Sequence, residues 1–290
     1  MGSEKAGSVM PQQPIMTSER LDAYRRDGFV IIKDFFRSAE IVALREAAKD
    51  VFMAQLHHHR LADDSILDEV SFERALFAYF KHDLQGFINC GKTCQHLFEL
   101  HRLGLSEQVY TSLQALGVSR PVISTRPVMY FNSLHLATDV SHYKTPPHQD
   151  WRSMQGSLNS IVVWVPLVDI PDSLGPLQVI PGSHRWGLLE SAPDNWFRQI
   201  KGLSEELYVP ISAKVGDAVF FSAFLVHQSG DNQSDSIRWS CHFRYNDLDD
   251  PTFVERHYPN PYTYRPQQEL IHPGFPEVRH LEQLFGERPT

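Results

Sequence analysis

Two patterns of hydrophobic spacing divide the 290-residue chain near residue 118. Before it, apolar side chains recur at three- and four-residue intervals, the spacing of one helix face. TSERLDAYRRD at 17–27 sets Leu21 and Tyr24 on one side, offers Thr17 or Ser18 as a cap, and meets Gly28. A short helix is expected there. FVII at 29–32 is a short apolar β run. Ser38 is expected to cap a longer helix carrying Ile41, Leu44, Ala48, Val51 and Phe52, and residues 70–116 read as mostly helical. Ser106 caps the last of these helices, on which Val109, Leu113 and Leu116 pack, and Gly117 ends it.

Beyond residue 118 the pattern becomes short β runs separated by Pro, Gly, Asn and Asp. These are RPVMYFN (126–132), SIVVWVPL (160–167), PLQVIPG (176–182), AVFFSAFLVH (218–227) and IRWSCHFRY (237–245). Many short strands after a helical block predict a β-sandwich or barrel with helices packed outside. From Asp250 the chain is rich in proline and tyrosine, and an extended surface segment is expected before a short helix near Val278 to Phe285. No repeat or linker divides the chain. It reads as a flexible N-terminus (1–16) and one domain (17–290): a mainly helical part to 117, a β core over 118–247 and a C-terminal extension over 248–290.

Composition narrows the function classes. The formal charge is −8 with no long basic run, which disfavours nucleic acid as a partner. No apolar run approaches the ~20 residues of a membrane span, and the first residues lack a signal-peptide pattern, so a cytoplasmic protein without a membrane partner is expected. The three cysteines, Cys90, Cys94 and Cys241, form no disulfide framework and read as small buried hydrophobes. Monomer and homodimer both remain open.

Among 15 histidines, His57, His58 and His59 are consecutive in a predicted helix. Successive helical side chains point about 100° apart, so this run cannot converge on one ion. TPPHQDWRSM (145–154) differs. Alternate residues of an extended segment face one side, so His148 and Asp150 project together, and Pro146 and Pro147 stiffen the approach. His227 closes the apolar run at 218–227, and Arg238 follows 11 positions later between Ile237 and Trp239. Opposite those apolar neighbours Arg238 points into a cavity, where a buried guanidinium needs an anion such as a carboxylate. Ser240 and His242 share its face. Two imidazoles and one carboxylate leave three adjacent positions open on an octahedral ion, the facial triad of non-haem Fe(II) oxygenases.

With these motifs in order, the chain resembles the phytanoyl-CoA dioxygenase family of Fe(II)/2-oxoglutarate-dependent oxygenases. The resemblance runs from DGFVIIKDFF (27–36) to HFRYND (242–247). It rests on TPPHQD, GPLQVIPGSHRWG (175–187), VGDAVFFSAFLVHQSGDN (215–232) and Arg238 with Ser240. It implies an α+β fold with a mainly β core, a double-stranded β-helix (jelly roll, cupin-like) with N-terminal helices on one sheet. It implies that His148, Asp150 and His227 bind iron, and that Arg238 and Ser240 hold the distal carboxylate of 2-oxoglutarate. Thr145, Asn132 and Trp164 then line the cosubstrate pocket. In PGSH, Gly182 serves a tight turn, and His184 is structural or at the mouth of the site. Asp150 stands where related halogenases carry a small residue. The implied reaction converts 2-oxoglutarate and O2 to succinate and CO2 while hydroxylating a small molecule.

The substrate side is expected at Trp151, Arg152, Met154, Gln155, Asn159, Ser160 and His242. Arg152 would meet either an anionic substrate group or a surface partner. Nothing marks a site for coenzyme A, and the family spans secondary metabolites, sugars and amino-acid derivatives. Desaturation or rearrangement at the same iron, a cupin-type enzyme independent of 2-oxoglutarate, and a non-catalytic binding protein are the alternatives.

Overall fold

The computed structural model of the protein describes residues 14–62, 68–137, 144–194 and 197–261, together with residues 277, 279 and 280. The chain divides into Met1–Asn260 and Pro261–Thr290. Every helix and strand named below belongs to the first unit. Of the second, Arg279 pairs with Glu277 at 2.9 Å, and most of the helix expected near Val278 to Phe285 lies outside the described residues, as does most of the expected flexible N-terminus.

Local signals set the first elements. The Thr17 hydroxyl accepts from the Arg20 N–H at 3.3 Å and opens α1 (Ser18–Asp27). Gly28 closes it at φ +82°, returning its N–H to the Tyr24 carbonyl at 2.8 Å. A side chain on Gly28 would also run into the His184 ring, which places His184 beneath the α1 terminus. After β1 (Phe29–Ile32) comes α2 (Ser38–His58), where Arg37 rather than Ser38 occupies the cap and Glu40 reaches back to its N–H. The long helical stretch is four helices: α3 (Glu69–His82), α4 (Leu84–Cys94), α5 (Phe98–Gly104) and α6 (Glu107–Ala115). Ser106 sits at the start of α6, but its hydroxyl donates back to the Leu103 carbonyl at 2.8 Å instead of capping forward.

The β core follows: β2 (Pro121–Asn132), a single helical turn α7 (Trp151–Met154), β3 (Ile161–Pro166), β4 (Leu177–Val179), a small hairpin of β5 (Ala192–Asp194) and β6 (Phe197–Gln199), β7 (Val209–Ile211), β8 (Ala218–Ser222), β9 (His227–Ser229) and β10 (Arg238–Asp247), then α8 (Pro251–Glu255). Antiparallel pairing gives one sheet ordered β1-β8-β3-β10-β2 and a facing one ordered β7-β4-β9. Two facing antiparallel sheets with helices against one of them are the jelly roll expected from the sequence.

Strand alternation gives the large sheet two different faces. Outward, Val163, Phe220, Trp239 and Cys241 pack with Ile41, Leu44 and Phe52 of α2, Leu76 of α3 and Phe87 of α4. Inward, Val162, Trp164, Val219 and Phe221 meet Leu177, Val179 and Ile211 of the small sheet. The apolar run at 218–227 is not one strand. The Leu225 N–H turns back to the Ser222 carbonyl at 2.8 Å and the Phe224 N–H to the Ser222 hydroxyl at 3.2 Å, so the chain leaves the large sheet and enters the small one at His227. The three cysteines are buried free thiols. No helix among the described residues is long and apolar enough to cross a membrane.

Candidate metal and cosubstrate site

The turn at Ser222 delivers His227 to a position opposite His148. Their backbones form an antiparallel bridge, N–H to carbonyl at 3.0 and 3.1 Å, and their rings lie 4.0 Å apart. The Nδ1 of His148 is 2.8 Å from the Pro146 carbonyl, and that of His227 is 3.0 Å from the Leu225 carbonyl. A carbonyl only accepts, so each Nδ1 carries the proton and each Nε2 presents a lone pair to the space between the rings.

Asp150 completes the group. Its carboxylate oxygens lie 3.8 Å from the Nε2 of each histidine, and one ligand atom from each of the three residues falls within 4.8 Å of the others. Asp150 gets there partly because the extended segment ends at it. Its backbone is helical (φ −65°, ψ −28°), and its carbonyl accepts from Ser153 and Met154. Between the two ligands Gln149 points the other way, donating to the Gly187 and Phe224 carbonyls at 2.8 and 2.7 Å.

Burial, then the adjacent His227, pushes the His148 imidazole down to about 3, and burial also lowers His227. Burial alone would raise the Asp150 carboxyl, but Arg244 and both imidazoles outweigh it and hold it well below the usual carboxylate range. Two neutral imidazoles and one carboxylate are the protonation states a metal binds, and this nitrogen and oxygen set suits one non-haem iron ion with three positions left open. Among the described residues no other group of histidines, cysteines and carboxylates meets that spacing, the histidines at 57–59 included.

A second set of polar groups lies on the inner face of β10 and β2. Arg238 stands opposite Asn132, and Ser240 opposite Tyr130. Arg238 is 3% exposed, donates to the Gly175 carbonyl and to the Ser229 hydroxyl (3.1 Å), and lies over the Tyr130 ring. Burial pushes its guanidinium down to about 10, still charged at neutral pH. Among the described residues no carboxylate pairs with it. Its Nε and both amide atoms of the fully buried Asn132 lack hydrogen-bond partners. Unpaired buried donors around a buried cation fit an anionic ligand that supplies the missing acceptors. Thr145 adjoins this corner, its carbonyl accepting from the Ser229 N–H at 2.9 Å, while the Tyr130 hydroxyl is buried without a hydrogen-bond partner. Trp164 is on the same inner face, directly across from His242.

The residues expected on the substrate side are spread more widely. His242 faces inward, its Nε2 buried without a hydrogen-bond partner, and burial followed by Arg244 pushes its imidazole well down. Trp151 stacks on Phe224 at 5.2 Å and donates from its indole to the Ser157 carbonyl, while Gln155 ends its helical turn at φ +48°. Arg152 donates to the Leu189 carbonyl at 2.7 Å, and Met154 is sealed in the inner apolar cluster at 1% exposure. Asn159 is committed elsewhere, its amide bonding Gly117 and the Asp247 carboxylate. Ser160 is buried with an unpaired hydroxyl. Two residues of the site escaped the sequence reading. Tyr130 was visible by alternation with Asn132 in RPVMYFN, and Arg244 lies six positions beyond Arg238 on the same strand face. Its Nη2 donates to Asp150 Oδ1 at 2.8 Å.

Known proteins share this chain's sequence pattern and fold. The profile of the phytanoyl-CoA dioxygenase (PhyH) family matches residues 24–240. The peroxisomal phytanoyl-CoA dioxygenase of Homo sapiens is 24% identical over 264 residues, 83% of this chain and 74% of its own. An ectoine dioxygenase of Bordetella bronchiseptica is 21% identical over 288 residues, 93% of this chain and 87% of its own. Among solved structures, the non-haem α-ketoglutarate-dependent carbocyclase SnoK from nogalamycin biosynthesis superposes with a TM-score of 0.54 at 18% identity, covering 86% of this chain and 94% of that one. The epimerase SnoN, solved with Fe3+, α-ketoglutarate and nogalamycin RO, gives 0.53 at 20% identity over 86% of this chain and 91% of its own.

Proposed function

Since the chain belongs to the phytanoyl-CoA dioxygenase family and is a non-haem iron, 2-oxoglutarate-dependent dioxygenase, we propose that it hydroxylates an unactivated C–H bond of a small molecule such as a secondary metabolite, sugar or amino-acid derivative. The observation that carries this reading is the convergence of His148, Asp150 and His227, together with a buried Arg238 that has no carboxylate partner among the described residues. When bound, iron with 2-oxoglutarate and O2 supplies the oxidising chemistry, yielding succinate and CO2.

The chain's own part is holding and positioning. His148 and His227 offer Nε2 because their Nδ1 protons are committed to backbone carbonyls. Arg238, with Ser240, Asn132, Tyr130 and Thr145 around it, takes the distal carboxylate of the cosubstrate and fixes its approach. The buried Nε2 of His242, across from Trp164, marks where a polar group of the substrate finds a partner. Phe221, with its ring 4.8 Å from that of His227, gives the iron site an apolar flank.

The test is a metabolite-library screen for stimulated succinate release with Fe(II) and O2, followed by mass spectrometry of the hit. A product heavier by one oxygen supports hydroxylation. Loss of two hydrogens points to desaturation or an oxidative rearrangement, and an unchanged mass, which needs a two-electron reductant added to the assay, to isomerisation. Absence of any succinate, even uncoupled, across the library would sink the catalytic reading.

A further inference from the structure

The inner face of β10 is polar at every position: Arg238, Ser240, His242, Arg244 and Asn246, alternating with outward Trp239, Cys241, Phe243 and Tyr245. The cosubstrate corner accounts for the first two. Arg244 lies at the other end, about 20 Å along the strand by its rise per residue.

We propose that Arg244 holds Asp150 as a one-oxygen iron ligand and thereby keeps open the coordination positions that 2-oxoglutarate needs. The inference rests on the iron-site reading above. Arg244 Nη2 donates to Asp150 Oδ1 at 2.8 Å, with the two side chains 12% and 4% exposed. Each oxygen also lies 3.8 Å from a histidine Nε2, Oδ1 from that of His148 and Oδ2 from that of His227, so Arg244 is what distinguishes the two. The Asp150 main chain is pinned separately, by Ser153 and Met154 on its carbonyl and by the Trp151 N–H on the Ala223 carbonyl. Those bonds fix where the carboxylate is rooted but not how its plane is turned. The torsion that turns a carboxylate is broad and roughly two-fold, so its orientation is set by whatever hydrogen-bonds the oxygens. Among the described residues Arg244 is the donor that does so.

The consequence concerns coordination number. A carboxylate with one oxygen committed to a guanidinium offers the other to the metal. With iron bound, that oxygen and the two imidazoles would take three positions and leave three for a chelating 2-oxo acid and O2. Freed from Arg244, the same carboxylate can turn to present both oxygens and compete for a position the cosubstrate requires. Arg244 is thus a positioning residue, acting on 2-oxoglutarate through Asp150.

The experiment is done without substrate, so that no substrate contact enters. Wild type and Arg244→Gln are titrated anaerobically with 2-oxoglutarate at saturating Fe(II), following the visible charge-transfer band of the chelate. The Co(II) forms are compared by their visible absorption as a report of coordination number. The expected result is that Arg244→Gln weakens 2-oxoglutarate binding about tenfold or more, the scale of losing a partner of a metal ligand, and changes the Co(II) spectrum. A change below about threefold with an unaltered Co(II) spectrum would overturn the proposal. Should Arg244→Gln fail to fold, Arg244→Met is read the same way, because it removes the donor to Asp150 while keeping an unbranched side chain of similar reach. Failure of the iron-site reading is distinguishable: wild type itself would then show no chelate band.

Discussion

Replacing Arg238 with methionine separates function from stability at a single position. The guanidinium is buried at 3% exposure, and its donors reach the Gly175 carbonyl and the Ser229 hydroxyl. Desolvation pushes it from the ordinary arginine value down to about 10. A base whose folded value is depressed destabilises the fold at every pH below that value, and the penalty is relieved only as pH rises above it. A drop of that size corresponds to a penalty of about 3 kcal/mol at neutral pH. Methionine is similar in reach, carries no charge and fills the space, so the cofactor-free variant should be as stable as wild type or more so. Binding should move the opposite way. Removing one partner of a buried hydrogen-bonded charge pair costs about 2–5 kcal/mol, roughly 30- to 4,000-fold in 2-oxoglutarate affinity. Thermal melts of the cofactor-free proteins and anaerobic titration of the Fe(II) forms read the two effects. An Arg238→Met variant that binds 2-oxoglutarate within about threefold of wild type would refute the anchor, since even the low end of that range exceeds it. A fall of many degrees in the cofactor-free melt would refute the burial argument.

The other predictions concern the metal, the core and acid stability. His227→Ala should weaken Fe(II) binding by more than the ~100-fold typical of losing an outer partner of a ligand, measured by equilibrium dialysis against Fe(II) under anaerobic conditions. Trp239, fully buried and edge-on to Phe52 and Phe131, should cost about 3–5 kcal/mol when cut to Ala, lowering the thermal midpoint by roughly 5–8 °C. Burial would raise the Asp247 carboxyl, yet the Arg120 N–H, the Asn159 amide and the Ser119 N–H together pull it down to about 2. Its stabilisation is therefore present above 3.8 and lost as pH falls through about 2. Asp247→Asn should flatten that part of the acid-denaturation curve, and an unchanged curve would count against the hydrogen-bonded carboxylate.

Much of this site is local in origin. Alternation in IRWSCHFRY puts Arg238, Ser240 and His242 on one strand face, and the structure keeps them there because Trp239 and Cys241 are drawn into the helix-facing core. Arg244 obeys the same alternation, but its pairing with Asp150 joins residues 94 positions apart, which no local spacing encodes. Thr17 and Gly28 likewise mark the bounds of α1 from the sequence, whereas Ser106 turns its hydroxyl backward to Leu103 once α5 packs in front of it. Asn159 and Met154 were expected to face the substrate because of their closeness in sequence to Asp150. The Asn159 amide nitrogen is tied to Gly117 and Asp247, and Met154 packs in the inner apolar cluster.

Periodicity and side-chain chemistry are properties of short stretches, so the helical and β halves, the faces of the strands and the residue types of the triad are legible in the chain alone. The break of the run at 218–227 at Ser222, and its passage from one sheet to the other, emerge only in the folded molecule. That break sets His227 against His148. Convergence of distant groups and the desolvation that makes them reactive are created by packing, which exists only once the two sheets have closed on each other.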